Sequence, residues 1–230
     1  RIGAKNAFAF DVNAACSGFV YGLTVADQFI RSGTAKWVLF VGVELMTRVV
    51  NWKDRATCIL WGDGAGAVVL GPTENGRGIL SSHLYADGAN GETLIVGGGG
   101  SRVSPITHET VDQDLHTLKM NGQETFRFAV RAFADVCVEA LEHNGMTADD
   151  IDLFIPHQAN IRIIDAAIKR LKLPMEKVMV TIHKYGNASS ASIPVALDEA
   201  VREGRIHEGD MVLLAAFGGG LTWGANALIL

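Results

Sequence analysis

The sequence lacks several features that mark common classes of protein. No apolar run reaches the roughly 18 residues that a membrane-spanning helix needs, and no signal-peptide pattern opens the chain. The charge balance is mildly acidic, with a formal net charge of −5 over 230 residues. Composition therefore gives no indication of a nucleic-acid or membrane-surface partner, and we expect a globular chain.

Cysteine is also scarce, and histidine is dispersed. Cys16, Cys58 and Cys137 fit neither a disulfide framework nor a metal-binding spacing, so we expect a reducing, cytoplasmic setting. The seven histidines show no close pairing of the kind that zinc sites use. The sequence thus predicts no metal site.

What the sequence does contain is an alternation of apolar strand-like runs with amphipathic helical periods. This alternation predicts an α/β fold with mostly parallel sheets. The last eighty residues repeat the plan of the first seventy, which predicts a duplication with halves at 1–118 and 119–230. The first half includes a long Gly-, Thr- and Asp-rich loop at 86–118. Because the chain opens on Arg1 with a strand-like run soon after, we expect an N-terminal portion to be missing.

Residues 7–19 predict a buried strand that turns through small residues into a helix, with Cys16 in its first turn. A helix start offers unpaired N–H groups and the positive end of the macrodipole, and both favour thiolate over thiol. A buried structural cysteine is the commoner role for a lone Cys. From this stretch alone, both interpretations remain open.

Other elements follow from local pattern. Apolar periodicity predicts helices over 19–33 and 123–144, each ending near a glycine. The continuous apolar run at 37–43 predicts a central strand covered on both faces. The glycines of 62–67 predict a tight turn between strands, and 178–182 predicts a further strand.

Three polar residues, Cys16, His157 and Asn187, are predicted to lie just beyond the carboxyl ends of strands, where open α/β sheets place active groups. A lone histidine there is more often structural, and an asparagine is more often a turn or cap. Their joint occurrence at equivalent places favours one active site. The glycines of 218–220 would allow backbone N–H groups to approach a ligand and form an oxyanion hole.

Four stretches carry a resemblance to a known family. They are DVNAACSGF (11–19), PHQAN (156–160), GNASSASIP (186–194) and AFGGGLTWG (216–224). In this order they resemble the motifs of β-ketoacyl-[acyl-carrier-protein] synthase III, the initiating condensing enzyme of bacterial fatty-acid synthesis. The resemblance implies the thiolase fold, two duplicated halves in five α-β-α-β-α layers with mixed, mostly parallel sheets. The first half would be incomplete.

The resemblance also implies a mechanism. Cys16 would take an acyl group from an acyl-CoA, normally acetyl-CoA, and the enolate formed by decarboxylation of malonyl-ACP would attack it. His157 and Asn187 would donate hydrogen bonds to the thioester oxygen of the malonyl group, and the backbone N–H groups of Cys16 and Gly219 would form the oxyanion hole. A Cys-His-Asn set favours the initiating type over the chain-elongating enzymes, which generally use Cys-His-His.

The same resemblance assigns substrate-binding residues. Arg55, Asn160 and Arg162 would line the coenzyme A and pantetheine channel, with Phe126 near it. Trp61 would bound the acyl pocket and favour short starters.

Partners are implied in the same way. An exposed basic face would dock the acidic carrier protein, and its residues are Arg127, Arg162, Lys169 and Arg170. The family is homodimeric and needs no cofactor, since the coenzyme A thioester is a substrate.

Three alternatives stay open at this point. A cysteine hydrolase also uses Cys, His and Asn in this order, although the surroundings of Cys16 differ from those of papain-like enzymes. An enzyme of specialised biosynthesis could use the same three residues on another acyl donor. The chain could also be an inactive, truncated product.

Overall fold

The computed structural model describes residues 2–230, which form eight strands and six α-helices. The strands are β1 (Val38–Leu45), β2 (Asp63–Leu70), β3 (Gly78–Ala86), β4 (Leu94–Val96), β5 (Leu118–Met120), β6 (Leu153–Pro156), β7 (Met211–Gly218) and β8 (Thr222–Ile229). The helices are α1 (Gly18–Arg31), α2 (His108–Asp112), α3 (Gly122–His143), α4 (Ile161–Leu171), α5 (Ile182–Tyr185) and α6 (Ser192–Arg202).

Mixed sheets with helices packed on them form an α/β fold, as predicted, but the expectation of mostly parallel strands is wrong for the described residues, because most of their strand pairs are antiparallel. The larger sheet has the strand order β3-β8-β7-β6, in which only β6 and β7 pair in parallel. Two further sheets, β1-β2 and β4-β5, are antiparallel pairs. Because β7 is buried along its whole length and lies between the strands β8 and β6, its carboxyl end is held firmly in position.

Two apolar clusters define the layers around the larger sheet. On one face, α1 and α6 pack between this sheet and the β1-β2 sheet, with Phe19, Ile193 and Leu214 fully buried in the contact. On the other face, α3 and α4 pack through Phe133 and Ile164. The described residues thus supply four successive layers in the order β-α-β-α. Burial of apolar side chains on both faces is what holds the larger sheet in place.

The helices that the sequence predicts are confirmed. α1 ends just before Gly33, whose φ of 73° lies in the left-handed region that glycine adopts without strain. α3 begins after Asn121, whose side chain accepts a hydrogen bond from the Glu124 N–H, and ends before Gly145 at φ 65°. Both helices have an apolar face, and the spacing of apolar residues in the sequence predicts that face.

The strand predicted before Cys16 is wrong. Residues 6–14 are assigned neither helix nor strand, and Phe8 and Phe10 are exposed and lie against Phe29 instead, with ring centroids 5.5 and 5.8 Å from it. The central strand predicted at 37–43 is also corrected. β1 pairs only with β2, and its alternate side chains, including Val41 and Val43, are exposed. Residues 6–14 have no strand partner among the described residues, and β1 has a partner on one edge and a covering layer on one face only.

Two smaller predictions also fail. Residues 62–67 do not form a turn, because from Asp63 onward they belong to β2. A Cβ on Gly66 would lie 2.7 Å from the Cβ of Pro194, so glycine here allows β2 to approach α6 closely. The strand predicted at 178–182 is reduced to a single bridge between Phe154 and Val178, followed by α5.

The segment 86–118 contains short elements rather than a structureless loop, including β4, α2 and the start of β5. β3, which the predicted division places in the first half, pairs with β8 in the larger sheet. The division at 118 itself stays a prediction. Among residues 2–230, none of the helices is both long and apolar enough to cross a membrane.

Candidate active site

Cys16 lies in a single 3-10 turn, Ala15–Ser17, that leads directly into α1. Ala15 has a φ of 48°, an uncommon value for a residue with a side chain, which marks a sharp change of chain direction just before the cysteine. The Ser17 hydroxyl donates to the Thr222 carbonyl at 3.0 Å, and the Thr222 hydroxyl donates to the Ala14 carbonyl at 2.9 Å. These bonds hold the turn against the start of β8.

The turn after β7 approaches the cysteine closely. A Cβ on Gly218 would lie only 2.6 Å from the Cys16 nitrogen and 3.0 Å from the Ser17 nitrogen. Glycine is therefore required at this position by space, since its φ of −162° would suit other residues. This contact places the N–H of Gly219 beside the cysteine sulfur.

The sulfur of Cys16 lies in a buried and partly hydrogen-bonded environment. Burial, together with the nearby negative charge of Glu44, raises the pKa of the Cys16 thiol to about 11. Hydrogen bonds from the Ser189 hydroxyl and from the N–H groups of Cys16 and Gly219 lower the pKa in part. The expectation of a favoured thiolate is thus wrong for this structure, because desolvation outweighs these donors.

His157 follows β6 and lies against β7. Its backbone N–H donates to the Ala215 carbonyl at 2.8 Å, and its ring meets the Phe217 ring edge-on with centroids 5.6 Å apart. The Nδ1 atom lies 2.7 Å from the Ser192 hydroxyl oxygen, and the Nε2 atom is buried without a partner among the described residues. Burial lowers the pKa of His157 to about 3, so the ring is neutral at physiological pH.

Asn187 is buried, and the oxygen and nitrogen of its side-chain amide have different surroundings. The Oδ1 atom accepts a hydrogen bond from the Ser189 N–H at 2.9 Å, and no described residue accepts from the Nδ2 group. The backbone of Asn187 pairs with the segment around Trp61, through bonds to Leu60 and Gly62 of 2.8 and 3.0 Å. Its amide nitrogen therefore remains available as a donor.

The three predicted residues are brought into one region by these contacts. Cys16 touches Ser189, two residues after Asn187, and the turn after β7, whereas His157 lies beside β7 itself. Trp61 belongs to the apolar cluster that encloses Cys16, together with Met46, Val50, Leu94 and Leu118. Leu94 and Leu118 come from the segment that the sequence presents as a loop, so that segment contributes to the wall around the cysteine.

The predicted substrate-binding residues lie further out. Arg55 is exposed in the turn that precedes Trp61, and Phe126 is half-buried on α3. The Asn160 side chain accepts from the Arg162 N–H at 2.9 Å, so Asn160 caps α4 at its N-terminus. The side chain of Arg162 is exposed in the first turn of that helix.

The predicted basic face is exposed on two helices that contact each other. Arg127 lies on α3, and Lys169 and Arg170 lie in the last turn of α4. Arg170 forms an ion pair with Asp135 across the two helices. Part of its charge is thus already compensated on the surface.

Sequence reasoning missed the groups that support the three predicted residues. The Ser189 hydroxyl lies beside the Cys16 sulfur, Ser192 bonds to the His157 ring, and Glu44, whose charge acts on Cys16, accepts from the Ser190 hydroxyl at 2.7 Å. The only available signal was the serine-rich stretch after Asn187, which is equally typical of a helix start. Within residues 2–230, no cluster of three His, Cys, Asp or Glu side chains is arranged to hold a metal ion.

Comparison with known proteins places this chain in a family. The family model described as 3-oxoacyl-[acyl-carrier-protein (ACP)] synthase III matches residues 10–88, and the model of its C-terminal part matches residues 141–229. The β-ketoacyl-[acyl-carrier-protein] synthase III of Caldanaerobacter subterraneus is 53% identical over 228 residues, covering 99% of this chain and 69% of the relative. The chain belongs to the 3-oxoacyl-[acyl-carrier-protein] synthase III family.

Solved structures agree with this family assignment. The 3-oxoacyl-[acyl-carrier-protein] synthase III of Aquifex aeolicus superposes with a TM-score of 0.90 at 48% identity, covering 99% of this chain and 68% of that one. The priming β-ketosynthase of the R1128 polyketide biosynthetic pathway superposes with a TM-score of 0.89 at 38% identity, covering 99% and 67%. The fold of this synthase III chain is therefore the thiolase-like fold that the sequence motifs imply.

Proposed function

We propose that this chain catalyses the decarboxylating condensation of an acyl-CoA starter with malonyl-ACP, giving a 3-oxoacyl-ACP that initiates fatty-acid synthesis. The family assignment supports the reaction class. The assignment of residues is supported by the two backbone N–H groups beside the Cys16 sulfur, and by the His157 Nε2 and Asn187 Nδ2 atoms, which have no described hydrogen-bond partner. A thioester-forming nucleophile and donors for a developing negative charge are the parts that this reaction needs.

In the first half-reaction, Cys16 is the nucleophile. Its sulfur forms a thioester bond to the acyl carbon, the bond from that carbon to the coenzyme A sulfur breaks, and the thiol proton ends on coenzyme A. The N–H groups of Cys16 and Gly219 lie beside the sulfur and are suited to bind the oxygen of the tetrahedral intermediate. Coenzyme A enters this scheme as part of a substrate, and no step calls for a metal or an organic cofactor.

In the second half-reaction, malonyl-ACP loses CO2 and leaves an enolate. Its carbon attacks the acyl group on Cys16, and the Cys16 sulfur leaves and regains a proton. No strong base is needed, because the carbanion arises by carbon–carbon cleavage. The neutral His157 ring and the Asn187 amide are suited to donate to the enolate oxygen, and each is buried with a donor group to spare.

Acetyl-CoA is the starter that we favour. Trp61 is large and buried in the cluster around Cys16, and Leu94 and Leu118 fill further space beside it. A wall of this kind limits the length of the acyl chain that the cysteine can hold.

Coenzyme A and the carrier protein would approach from the α3–α4 side. Arg55 and Arg162 are exposed cations suited to the phosphates of coenzyme A, with Asn160 and Phe126 beside that route. Arg127, Lys169 and Arg170 add to the positive surface, which suits an acidic carrier protein and its approach by electrostatic steering. We also propose that the protein works as a homodimer in the cytoplasm.

A second candidate is the priming step of a specialised pathway. The similarity to a priming β-ketosynthase of polyketide biosynthesis at 38% identity favours it as the alternative. Both candidates use the same three residues and differ in the acyl donor. A cysteine hydrolase is disfavoured, because a buried thiol with a raised pKa and a neutral histidine do not form the ion pair that such enzymes use.

A product assay with a panel of starters tests the proposal. The protein is incubated with malonyl-ACP and acetyl-, propionyl-, isobutyryl- or hexanoyl-CoA, and the ACP products are resolved by mass spectrometry. We expect 3-oxobutyryl-ACP from acetyl-CoA as the fastest product. Faster turnover of hexanoyl-CoA would favour the specialised role, and release of free acid with no condensed product from any starter would refute the condensing function.

A further inference from the structure

Ser192 is a buried polar residue for which the proposed reaction has so far no role. It is the first residue of α6, and its hydroxyl oxygen lies 2.7 Å from the Nδ1 atom of His157. Serine at the start of a helix usually caps a backbone N–H, but here the capping position is Ala191 and no side chain caps α6. The Ser192 hydroxyl therefore bonds to the His157 ring instead of capping the helix.

The direction of this hydrogen bond follows from the other partner of Ser192. The Gln158 backbone N–H donates to the Ser192 oxygen at 3.3 Å, so the oxygen already acts as an acceptor. Among the described residues, His157 Nδ1 is the one acceptor within reach of the hydroxyl proton. If Nδ1 itself carried a proton, the Ser192 proton would be buried without a partner, which is unfavourable.

We propose that Ser192 is a positioning residue that donates to His157 Nδ1 and thereby keeps the ring proton on Nε2. This inference rests on the proposed function, in which His157 donates a hydrogen bond to the substrate. In the opposite tautomer, the free nitrogen would present a lone pair to the enolate oxygen and repel it. The Ser192 hydroxyl thus decides whether His157 is a donor or an acceptor at the site.

The surroundings of Ser192 make this arrangement rigid. The Gln158 side chain donates to the Pro156 and Met179 carbonyls at 2.7 and 3.1 Å, and its oxygen accepts from the N–H groups of Thr181 and Ile182 at 2.8 and 3.1 Å. The loop after β6 is therefore fixed to the segment before α5. Because the backbone and the ring plane of His157 are already held, Ser192 controls which ring nitrogen carries the proton.

Nitrogen NMR of the full chain tests the inference without any substrate. The histidines are labelled with 15N, and the His157 signals are identified by their absence in His157→Gln. We expect the wild type to show a protonated Nε2 and an unprotonated Nδ1, and Ser192→Ala to show a mixture of tautomers or a protonated Nδ1. Ser190→Ala is the matched control, because that hydroxyl bonds to Glu44 and not to the ring, and it should match the wild type.

Kinetics supply the second readout. We expect Ser192→Ala to lower the rate of malonyl-ACP decarboxylation by about 10-fold to 10²-fold, below the loss of about 10²–10³ for removing the donor itself. Formation of the acyl-enzyme at Cys16 should be unchanged. Ser192→Thr keeps the hydroxyl and should restore the wild-type tautomer and most of the rate.

The outcomes separate this inference from the proposed function. If His157→Gln loses decarboxylation but Ser192→Ala keeps both the wild-type tautomer and the wild-type rate, the role of Ser192 is refuted and the function stands. A protonated Nδ1 in the wild type would refute it as well. If His157→Ala, which unlike His157→Gln keeps no side-chain donor, decarboxylates malonyl-ACP at the wild-type rate, the donor role of His157 itself is wrong.

Discussion

A buried imidazole such as His157 makes the stability of the protein depend on pH. Its pKa is about 3 in the folded protein, whereas the ordinary value of 6.5 applies to the unfolded chain. Between these values the unfolded chain binds a proton that the folded protein does not bind. The contribution is therefore fully present above pH 6.5 and is lost as the pH falls, at up to about 1.4 kcal/mol per pH unit.

Urea unfolding at pH 7.0 and at pH 5.0 measures this effect, with His157→Gln as the comparison. We expect the free energy of unfolding of the wild type to fall more steeply on acidification than that of the variant. Parallel pH dependences for the two proteins would show that His157 titrates normally in the folded state.

Asn187 is expected to act in one half-reaction only. Asn187→Ala removes the amide donor and should slow malonyl-ACP decarboxylation by about 10²–10³, while the acyl-enzyme still forms at Cys16. Asn187→Asp is the matched variant, because a carboxylate oxygen can still accept from the Ser189 N–H but cannot donate. Rapid-quench measurement of both half-reactions checks this, and equal losses in the two would contradict the donor role.

At the scale of elements, the turn after β7 is expected to fix the position of Cys16. Gly218→Ala places a Cβ against the backbone of Cys16 and Ser17, which cannot move aside as the end of a side chain could. We expect a loss of stability of about 1–3 kcal/mol and a larger loss of acylation, because the N–H groups at the sulfur are displaced. Thermal unfolding and acylation rates measure both.

Gly100→Ala is the control for this substitution. A Cβ there would meet no atom within 4 Å, so stability and acylation should stay at their wild-type values. A Gly218→Ala variant that acylates as fast as this control would contradict the proposed close approach.

Some elements of secondary structure could be predicted from the sequence and others could not. α1 and α3 were predictable, because the apolar period lies within each helix and the terminating glycine follows close after it. The absence of a strand before Cys16 was not predictable, because strand formation depends on a partner that is remote in sequence. Gly66 was wrongly predicted to lie in a turn for the same reason. Glycine is needed there because β2 packs closely against Pro194, which lies more than a hundred residues later in the chain.

The candidate active site could likewise be predicted only in part. Cys16, His157 and Asn187 could be selected from motifs, and the structure brings their segments together. The raised pKa of Cys16 could not be read from its helix start, because it arises from burial and from Glu44. Ser192 was equally hidden, since its partner His157 lies 35 residues earlier.

At the scale of the whole molecule, the uncovered face of β1 is expected to govern association. Leu39, Val41, Val43 and Leu45 alternate along the strand with side chains that are all more than 40% exposed. Contiguous apolar surface beside an unpaired strand edge promotes association in water. We expect Val41→Lys combined with Val43→Lys to shift this chain towards smaller species in sedimentation velocity.

Val201→Lys is the matched control, because Val201 is similarly exposed but lies near the end of α6, away from β1. It should leave the sedimentation profile unchanged. An equal effect of both changes would indicate that added charge alone, and not the β1 face, controls association.

The proposed reaction depends on a covalent acyl group at Cys16, and the intact mass of the protein after incubation with acetyl-CoA reports whether that group forms. We predict that the wild type gains the mass of one acetyl group, that Cys137→Ala gains it equally, and that Cys16→Ala does not gain it. An acetyl adduct of the same extent on Cys16→Ala would show that Cys16 is not the nucleophile.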